Sequence, residues 1–375
     1  MESPFNYIKE IAGDSFVGCN DDLVWLSSNM LNSKNMVIIA PPKTGKTSLI
    51  CKAQTMIHKQ DAAVKFCYVD LFNVRDIYSF LNKLANEAIK SISETTDDWE
   101  LYAEEFLFFA QPQIVINRKT HSIKLVFNKE NLENHYFECI SIFNDYAERY
   151  NTKMVVCLEN FQNILEFDNS LKVQKLLAKP MKESKNVAYI ISGNRKNALK
   201  EMFQKPRAPF NNFGDICFPE PIDEKLFTEY LVRLFSKSGR AIKKEHAEKV
   251  CSYVQYQPYY VQLYANIIWN NTRGFVTEQT IDSSKKQLLD YCINDFMFKI
   301  DGLSNSQLNY LHAVVDGIDR FSSAENLAIY NLHSSANVAR VKDALIKKEI
   351  LEYNRHKPLF IDPVFELWLK EAYFN

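Results

Sequence analysis

The chain is poor in glycine, cysteine pairs and long apolar runs, and each shortage excludes a class of protein. Only nine of its 375 residues are glycine and no low-complexity tract occurs, so a largely disordered chain is excluded. The eight cysteines include no C-x-x-C pair, which excludes a disulfide framework or zinc site and predicts reduced, buried thiols. No run approaches the roughly 18 apolar residues of a membrane span, and the N-terminal residues lack the basic n-region and apolar h-region of a signal peptide. We therefore expect a soluble, cytoplasmic protein.

The chain does have considerable length and a balanced charge. With 375 residues, 46% of them hydrophobic, it exceeds the usual size of a single core, so two or three domains are expected. Lysine and arginine number 45 against 46 aspartates and glutamates, which gives a net charge of -1. This balance argues against a surface that binds polyanions over its whole extent.

The most informative segment follows the apolar run 36–39 and reads Ala40-Pro41-Pro42-Lys43-Thr44-Gly45-Lys46-Thr47-Ser48. It predicts a buried strand, a lysine-bearing turn and a helix over 47–57. Backbone N–H groups of the turn and the positive helix N-terminus would face phosphates. Lys46 would reach the β and γ oxygens, and the Thr47 hydroxyl would ligate Mg²⁺. This is the pattern of a Walker A loop, which binds a nucleoside triphosphate.

One position departs from the pattern G-x-x-x-x-G-K-[ST]. Ala40 stands where the first glycine belongs, and its Cβ disfavours a positive φ angle. Gly45, beside the lysine, is intact. The preceding strand, the following helix and the spacing favour the phosphate loop over the alternative, an ordinary surface turn.

Further apolar runs, alternating with amphipathic helices, predict a parallel sheet. They give five core strands over 36–39, 64–69, 154–158, 187–191 and 214–218. A long excursion separates the second strand from the third, with helices near 74–91 and 97–110 and a hairpin of 114–116 with 123–127. The hairpin is either a decoration of the fold or a surface for a partner.

A second chemical pattern lies where the third strand ends. Glu159 follows this strand, and ligands gather at the carboxyl ends of parallel strands, so the arrangement is that of a Walker B acid. We expect Glu159 to hold Mg²⁺ and Asn160 to stand where a glutamate usually polarises the attacking water. An amide cannot accept a proton as a carboxylate does, so hydrolysis should be slow unless another group supplies the base. The alternative is a strand that happens to end in glutamate.

The fourth strand ends in small polar residues. NTPases with an additional strand keep a sensor there, a side chain that hydrogen-bonds the γ-phosphate or the attacking water, and Ser192 and Asn194 are the candidates. Arg195 and Arg207 could act as charge-stabilising fingers. The alternative for each arginine is a surface salt bridge.

Segments spread over nearly the whole chain resemble those of the archaeal-type ATPases, a STAND/AAA+-related group. They are the loop run 37–50, Tyr68-Val69-Asp70-Leu71, Leu158-Glu159-Asn160-Phe161-Gln162, Ile191-Ser192-Gly193-Asn194, Gln257-Pro258-Tyr259-Tyr260-Val261-Gln262 and Asp362-Pro363-Val364-Phe365-Glu366-Leu367-Trp368-Leu369. The resemblance implies an α/β fold: a P-loop NTPase core with a five-stranded parallel sheet of the additional-strand type, an α-helical lid and a winged helix. It also implies ATP or ADP with Mg²⁺ as cofactors.

The resemblance further implies domains over 1–221, with an insertion at about 95–130, over 222–300 for the lid and over 301–375 for the winged helix. Its nucleotide-binding residues are Val17, Ala40, Pro41, Pro42, Lys43, Thr44, Gly45, Lys46, Thr47, Ser48 and Pro258. Its catalytic residues are Lys46, Glu159, Asn160 and Asn194, and its metal ligands are Thr47 and Glu159.

Several positions depart from the family. A motif that usually reads hydrophobic-Gly-Arg-Glu is here Val17-Gly18-Cys19-Asn20, which removes the arginine. The lid glycine two places before Pro258 is Tyr256. Together with Asn160, these departures favour tight binding with weak turnover over vigorous hydrolysis.

The C-terminal part can also be interpreted from its own spacing. Apolar residues recur at helical intervals over 223–298, with Asp223 as N-cap. The following segments predict a winged helix, which consists of three helices and a hairpin. Two helices are expected over 303–315 and 322–330, and Ser334-Ser335 caps the third. Strands over 350–353 and 359–361 would flank a turn over 354–357. Residues 301–375 hold eight Lys/Arg against ten Asp/Glu, so contact with protein is favoured over contact with DNA.

Two functions remain open from the sequence. The first is a slow Mg²⁺-dependent ATPase that acts as a nucleotide-controlled switch, and the second is a scaffold that holds ATP or ADP without turnover. In either case we expect an effector protein as a separate partner and no membrane contact.

Overall fold

The computed structural model describes residues 2–8, 16–117, 119–120 and 122–375. Two compact units divide them. The sheet unit comprises Cys19–Pro42 and Lys46–Glu220, and the helical unit comprises the described residues up to Gly18 with Lys43–Gly45 and Pro221–Asn375. Each unit has its own core of buried hydrophobic side chains. The three domain boundaries expected from the sequence stay a prediction.

The strands of the sheet unit are β1 (Met36–Ile39), β2 (Lys65–Asp70), β3 (Gln113–Asn117), β4 (Ser122–Val126), β5 (Met154–Glu159), β6 (Val187–Gly193) and β7 (Asp215–Cys217). Five of them pair in parallel in the spatial order β2, β5, β6, β1, β7. The strands β1 and β6 are buried along their whole length, as expected where helices cover both faces of a sheet. The predicted five-stranded parallel sheet is confirmed.

The register of the sheet brings several strand ends to one edge. Ile39 of β1 pairs with Gly193 of β6, and Asp70 of β2 pairs with Glu159 of β5. Because all these strands run in the same direction, the residues at their carboxyl ends share this edge. The polar residues singled out in the sequence therefore converge although they are far apart along the chain.

The helices of the sheet unit are α1 (Asn20–Leu31), α2 (Lys46–Gln60), α3 (Ile77–Ile92), α4 (Thr96–Phe106), α5 (Lys129–Asn134), α6 (Tyr136–Arg149), α7 (Ser170–Glu183) and α8 (Lys196–Gln204), with a 3₁₀ helix over Phe161–Glu166. The helix α2 begins one residue before the expected start and continues three residues beyond the expected end. At the start of α4 the side chains of Thr95 and Asp98 form a reciprocal capping box, which satisfies backbone N–H groups that the helix leaves unpaired.

Within the excursion between β2 and β5, polar side chains of α3, α5 and α6 hold the hairpin and the turn before it. Asn86 of α3 accepts from the N–H of Leu125 at 2.7 Å and donates to its carbonyl at 3.0 Å. The buried carboxylate of Glu138 accepts from the N–H groups of Phe109 and Ala110 at 3.0 and 2.8 Å. Asn131 donates to the carbonyls of the same two residues. The expected hairpin, β3 with β4, is thus held in a fixed place.

The helical unit contains α9 (Glu224–Lys237), α10 (Lys244–Tyr253), α11 (Pro258–Asn271), α12 (Glu278–Asp301), α13 (Asn305–Val315), α14 (Ala324–Ile329), α15 (Ser335–Lys347), β8 (Leu351–Asn354), β9 (Lys357–Phe360) and α16 (Pro363–Trp368). Asp223 caps α9 and Ser334 caps α15, as expected. Three helices followed by an antiparallel hairpin are the element order of a winged helix. The expected turn over 354–357 is too wide, because Asn354 and Lys357 pair with each other in the ladder.

The cysteines and the length of the apolar helices bear on two expectations for the chain as a whole. All eight cysteines are free, but Cys19, Cys51 and Cys217 are only partly buried, so the expectation of buried thiols is wrong for these three. Within the described residues, no helix has the length and apolar character that crossing a membrane requires.

We predict that Glu138→Ala destabilises the sheet unit by about 3 kcal/mol, because it leaves two backbone N–H groups without their charged acceptor. Urea unfolding followed by circular dichroism measures this. Glu133→Ala, at a more exposed glutamate of α5, is the control and should change the free energy of unfolding by less than about 0.5 kcal/mol. Equal effects of the two substitutions would contradict a fastening role for Glu138.

Candidate functional site

The loop between β1 and α2 turns at two left-handed positions, Lys43 with φ 68° and Gly45 with φ 88°. Ala40 is not among the residues with positive φ, and its N–H donates to the carbonyl of Gly193 on the neighbouring strand at 3.3 Å. The Cβ of Ala40 therefore meets no backbone strain, and the objection raised by the missing first glycine is wrong. Pro41, Pro42 and Thr44 lie in the same loop, and Ser48 lies in the first turn of α2.

The ammonium group of Lys46 lies over the start of the loop. Its Nζ donates to the carbonyl oxygens of Ala40 and Pro41, both at 3.0 Å. Lys46 is only 9% exposed and is the first residue of α2. A buried cation at a helix N-terminus provides a strongly positive local environment.

Thr47 and Glu159, separated by 112 residues, meet at the carboxyl edge of the sheet. The hydroxyl of Thr47 donates to Oε1 of Glu159 at 2.8 Å. Both residues are half-buried, so their oxygens are reachable from solvent. Hydroxyl and carboxylate oxygens are the hard ligands that Mg²⁺ prefers, and one or two protein ligands suffice when substrate phosphates supply others. The pair therefore fits the magnesium site expected from the sequence.

Asn160, at the position where a glutamate is usual, is hydrogen-bonded to a carboxylate of the neighbouring strand β2. Its Nδ2 donates to Oδ1 of Asp70 at 2.7 Å, and the same oxygen accepts from the N–H of Phe72 at 2.9 Å. Asp70 ends β2 directly beside Glu159. The sequence interpretation gave Asp70 no role, although the signal that identified Glu159, a carboxylate ending an apolar strand, applies to it equally.

Asn194 is held by a side chain that the sequence interpretation also passed over. The buried Gln162 donates from Nε2 to Oδ1 of Asn194 at 2.9 Å. A Cβ on Gly193 would lie 2.2 Å from Oε1 of Gln162, so only glycine leaves room for this contact. Ser192, the other sensor candidate, is fully buried on β6, which leaves Asn194 as the reachable candidate.

The remaining candidates are less closely grouped. Arg195 forms an ion pair with Glu166 at 2.7 Å, the surface salt bridge that was its alternative interpretation. Arg207 is exposed and adopts φ 69°. Val17 and Pro258 belong to the helical unit, where Val17 packs against the core and Pro258 begins α11. Their places beside a nucleotide stay predictions.

Lys43 makes its contacts within the helical unit. Its Nζ donates to the hydroxyl of Tyr260 at 2.6 Å and lies 3.6 Å from the carboxylate of Asp362, which also accepts from Lys299 at 2.9 Å. Burial opposes ionisation of Asp362, but the charges of Lys299 and Lys43 outweigh it and hold the pKa of the carboxyl below its ordinary value. These contacts hold Lys43 in a backbone conformation that non-glycine residues rarely adopt.

The arrangement defines a class of protein. A lysine-bearing loop follows β1, an acid ends β5, and β6 lies between these two strands. This is the fold of the P-loop NTPases with an additional strand, to which the AAA+ ATPases belong.

Comparison with known proteins gives the same class. The chain is similar to the Walker-type ATPase PABY2304 of Pyrococcus abyssi, with a TM-score of 0.70 and 14% identity over 95% of this chain and 96% of that one. It is similar to the Aeropyrum pernix ORC2 protein in its ADPNP-ADP complexes, with a TM-score of 0.59 and 13% identity over 96% and 95%. It is also similar to the Aeropyrum pernix ORC1 protein in complex with DNA, with a TM-score of 0.52 and 11% identity over 98% of this chain and 95% of that one.

No protein-family model matches the sequence, and no curated protein matches it. The likeness to these solved structures shows the fold, which is that of a P-loop NTPase with an additional strand.

We predict that Ala40→Gly lowers the free energy of unfolding by about 0.5 to 1 kcal/mol, because Ala40 is unstrained and glycine adds freedom to the unfolded chain. Gly45→Ala should lower it by about 1 to 2 kcal/mol, since a Cβ there meets open space but the backbone is left-handed. Denaturant unfolding of both variants tests this. Stabilisation by Ala40→Gly would show that Ala40 is strained after all.

Proposed function

We propose that the chain binds ATP with Mg²⁺ at the loop between β1 and α2 and hydrolyses it slowly. The observation that carries this proposal is the hydrogen bond from Thr47 to Glu159, since it joins the two expected metal ligands beside the buried Lys46. One of the similar solved structures, the Aeropyrum pernix ORC2 protein, is a complex with ADPNP and ADP. The preference for ATP over GTP follows from the family resemblance.

Each residue has a task that its geometry supports. The ammonium of Lys46 exchanges loop carbonyls for phosphate oxygens, and the N-terminus of α2 adds its partial positive charge. Thr47 and Glu159 hold the metal ion, which neutralises phosphate charge when bound. A hydroxyl that donates its proton to a carboxylate keeps its lone pairs for a cation, so the two residues need not separate. Asn194, fixed by Gln162, can orient the attacking water.

We further propose that Asp70 supplies the base that Asn160 cannot. General base catalysis requires a carboxylate within hydrogen-bond reach of the water. Asn160 holds Asp70 through Oδ1, which leaves Oδ2 to accept a proton from water.

We predict that Lys46→Ala weakens MgATP binding by at least about a hundredfold, because two charge-assisted hydrogen bonds are worth roughly 3 kcal/mol or more. Thr47→Val should weaken binding chiefly in the presence of Mg²⁺, whereas Thr47→Ser keeps the hydroxyl and should restore it. Calorimetry with and without Mg²⁺ measures both effects. Lys59→Ala, at an exposed lysine in the last turn of α2, is the control. Unchanged affinity in Lys46→Ala would reject the proposed site.

We predict that Asp70→Asn lowers the rate of phosphate release at saturating MgATP by roughly a hundredfold, since general bases contribute about 10² to 10⁴ in rate. The dissociation constant of MgATP should change by less than about threefold, because Asp70 is not among the metal ligands. The control is Asp61→Asn, which lies before β2, at the opposite end of the same strand. An unchanged rate in Asp70→Asn would contradict its role as base.

The second candidate function is a nucleotide-binding scaffold without turnover, and Asn160 is the observation that favours it. Tight binding of MgATP with no released phosphate in the native chain would establish this candidate. In both cases we propose a nucleotide-controlled change of conformation and a separate effector protein, on the strength of the family resemblance. DNA binding is not proposed, because residues 301–375 carry more acidic than basic side chains.

A further inference from the structure

Among residues 2–8, 16–117, 119–120 and 122–375, nothing pairs with the backbone at the outer edge of β3. In the antiparallel ladder Ile114 stands opposite Leu125, whose N–H and C=O both bond to the side chain of Asn86. The pair of Ile114 and Leu125 is therefore not hydrogen-bonded, and the N–H and C=O of Ile114 point away from β4. By the same alternation those of Ile116 point away too. Within the described residues, β3 pairs with no strand other than β4.

The two outer edges of this hairpin differ in whether their backbone groups have hydrogen-bond partners among the described residues. Asn86 closes the outer edge of β4, whereas Val115 and Ile116 of β3 are 49% and 50% exposed. Natural proteins usually blunt a free edge with charged side chains, proline or a bulge, since it is a template for pairing with another chain. Neither Ile114 nor Ile116 carries such protection.

A groove of about 640 Å³ lies beside this edge. Ile114, Pro112 and the 63%-exposed Phe108 provide its apolar surface, and Glu100 and Glu104 of α4 line it as well. Among the described residues neither glutamate takes part in an ion pair, so both charges are available. An apolar surface bordered by acidic side chains is complementary to a segment that carries both apolar and basic side chains.

The charged residues that line the groove, among those the structure describes, are all acidic. Residues 95–117 contain no lysine or arginine, and their acidic residues are Asp97, Asp98, Glu100, Glu104 and Glu105. Arg118 and Lys119 follow β3 in the sequence and Lys124 belongs to β4, and neither of the two lysines lines the groove. A partner that docks here meets a negative field, which repels acidic segments.

The groove is formed before any partner arrives. Glu138 and Asn131 fix the turn at Phe109 and Ala110, and Asn86 fixes β4. A rigid edge loses little conformational entropy on binding, which favours addition of a strand.

We propose that this edge and groove bind an extended basic segment of a separate protein, which adds to β3 as a further strand. Backbone hydrogen bonds to Ile114 and Ile116 provide affinity, apolar side chains of the segment enter the groove beside Phe108, and its lysines or arginines reach Glu100 and Glu104. The inference does not depend on nucleotide binding, since none of these residues belongs to the phosphate loop.

The test uses the full chain and a fluorescein-labelled nine-residue peptide of alternating lysine and valine, with a glutamate-valine peptide as the probe of opposite charge. Fluorescence anisotropy should detect binding of the basic peptide alone. Amide hydrogen exchange should slow at Ile114 and Ile116 when it binds. Glu100→Lys/Glu104→Lys should weaken binding by roughly tenfold or more.

A second variant separates backbone pairing from charge. Ile116→Pro removes an outward N–H without touching the ladder to β4, so binding should fall by roughly tenfold while the circular dichroism spectrum is kept. Ile116→Thr retains the N–H, and Glu130→Lys/Glu133→Lys changes acids that do not line the groove. Both controls should bind within about twofold of the native chain.

Three outcomes would overturn the proposal. The first is equal binding, or no binding, of the basic and acidic peptides. The second is unchanged affinity in both Ile116→Pro and the charge-reversed variant. The third is self-association of the native chain, measured by light scattering, that Ile116→Pro abolishes, because the occupant of the edge would then be a second copy of this chain.

Discussion

Parallel pairing of neighbouring strands is the constraint on which the site depends. Because β1, β6, β5 and β2 run in one direction and in register, Asp70 and Glu159 end their strands at one edge of the sheet, and Ala40 and Asn194 follow theirs at the same edge. The backbone hydrogen bond from Ala40 to Gly193 continues that pairing into the loop. A shift of one residue in any of these strands would turn a polar end residue to the other face of the sheet. The chemistry of the site is thus secured by the buried apolar core of the sheet.

The contact between Asp70 and Asn160 changes how the missing glutamate is interpreted. Two carboxylates at hydrogen-bond distance repel each other, so a carboxylate at position 70 favours an uncharged donor at position 160. Asparagine also tolerates the left-handed conformation, φ 56°, that residue 160 adopts before the 3₁₀ helix. The amide is therefore a matched partner of Asp70 and not merely the loss of a base. A polar residue that departs from a family pattern is best judged together with the neighbours of its strand.

Patterns local to one strand were readable from the sequence, whereas contacts between strands were not. Continuous apolar runs followed by Glu159 and Asn194 predicted the strands and the polar residues at their ends. A strand that is buried on both faces consists almost entirely of apolar residues, so it is recognisable from composition alone. Ala40 was misjudged because a motif specifies a residue type but not the φ angle that makes glycine necessary. Asp70 carries the same local signal as Glu159, a carboxylate that ends an apolar strand, but its contact with Asn160, 90 residues away, is visible only from the register. Gln162 was missed because its partner Asn194 lies 32 residues away.

The insertion shows a contrast that core packing alone does not explain. Polar side chains of the flanking helices α3 and α6 fix its inner parts: Asn86 satisfies both backbone groups of Leu125, and Glu138 satisfies two N–H groups in the turn before β3. A hairpin that served only as decoration would gain stability from covering Ile116 and Phe108 in the same way, since exposed apolar groups contribute nothing to folding. In the part of the chain that the structure describes, the outer edge of β3 instead combines backbone groups without a partner strand, exposed apolar side chains and acids without an ion-pair partner. Such a combination is a liability unless another chain covers it.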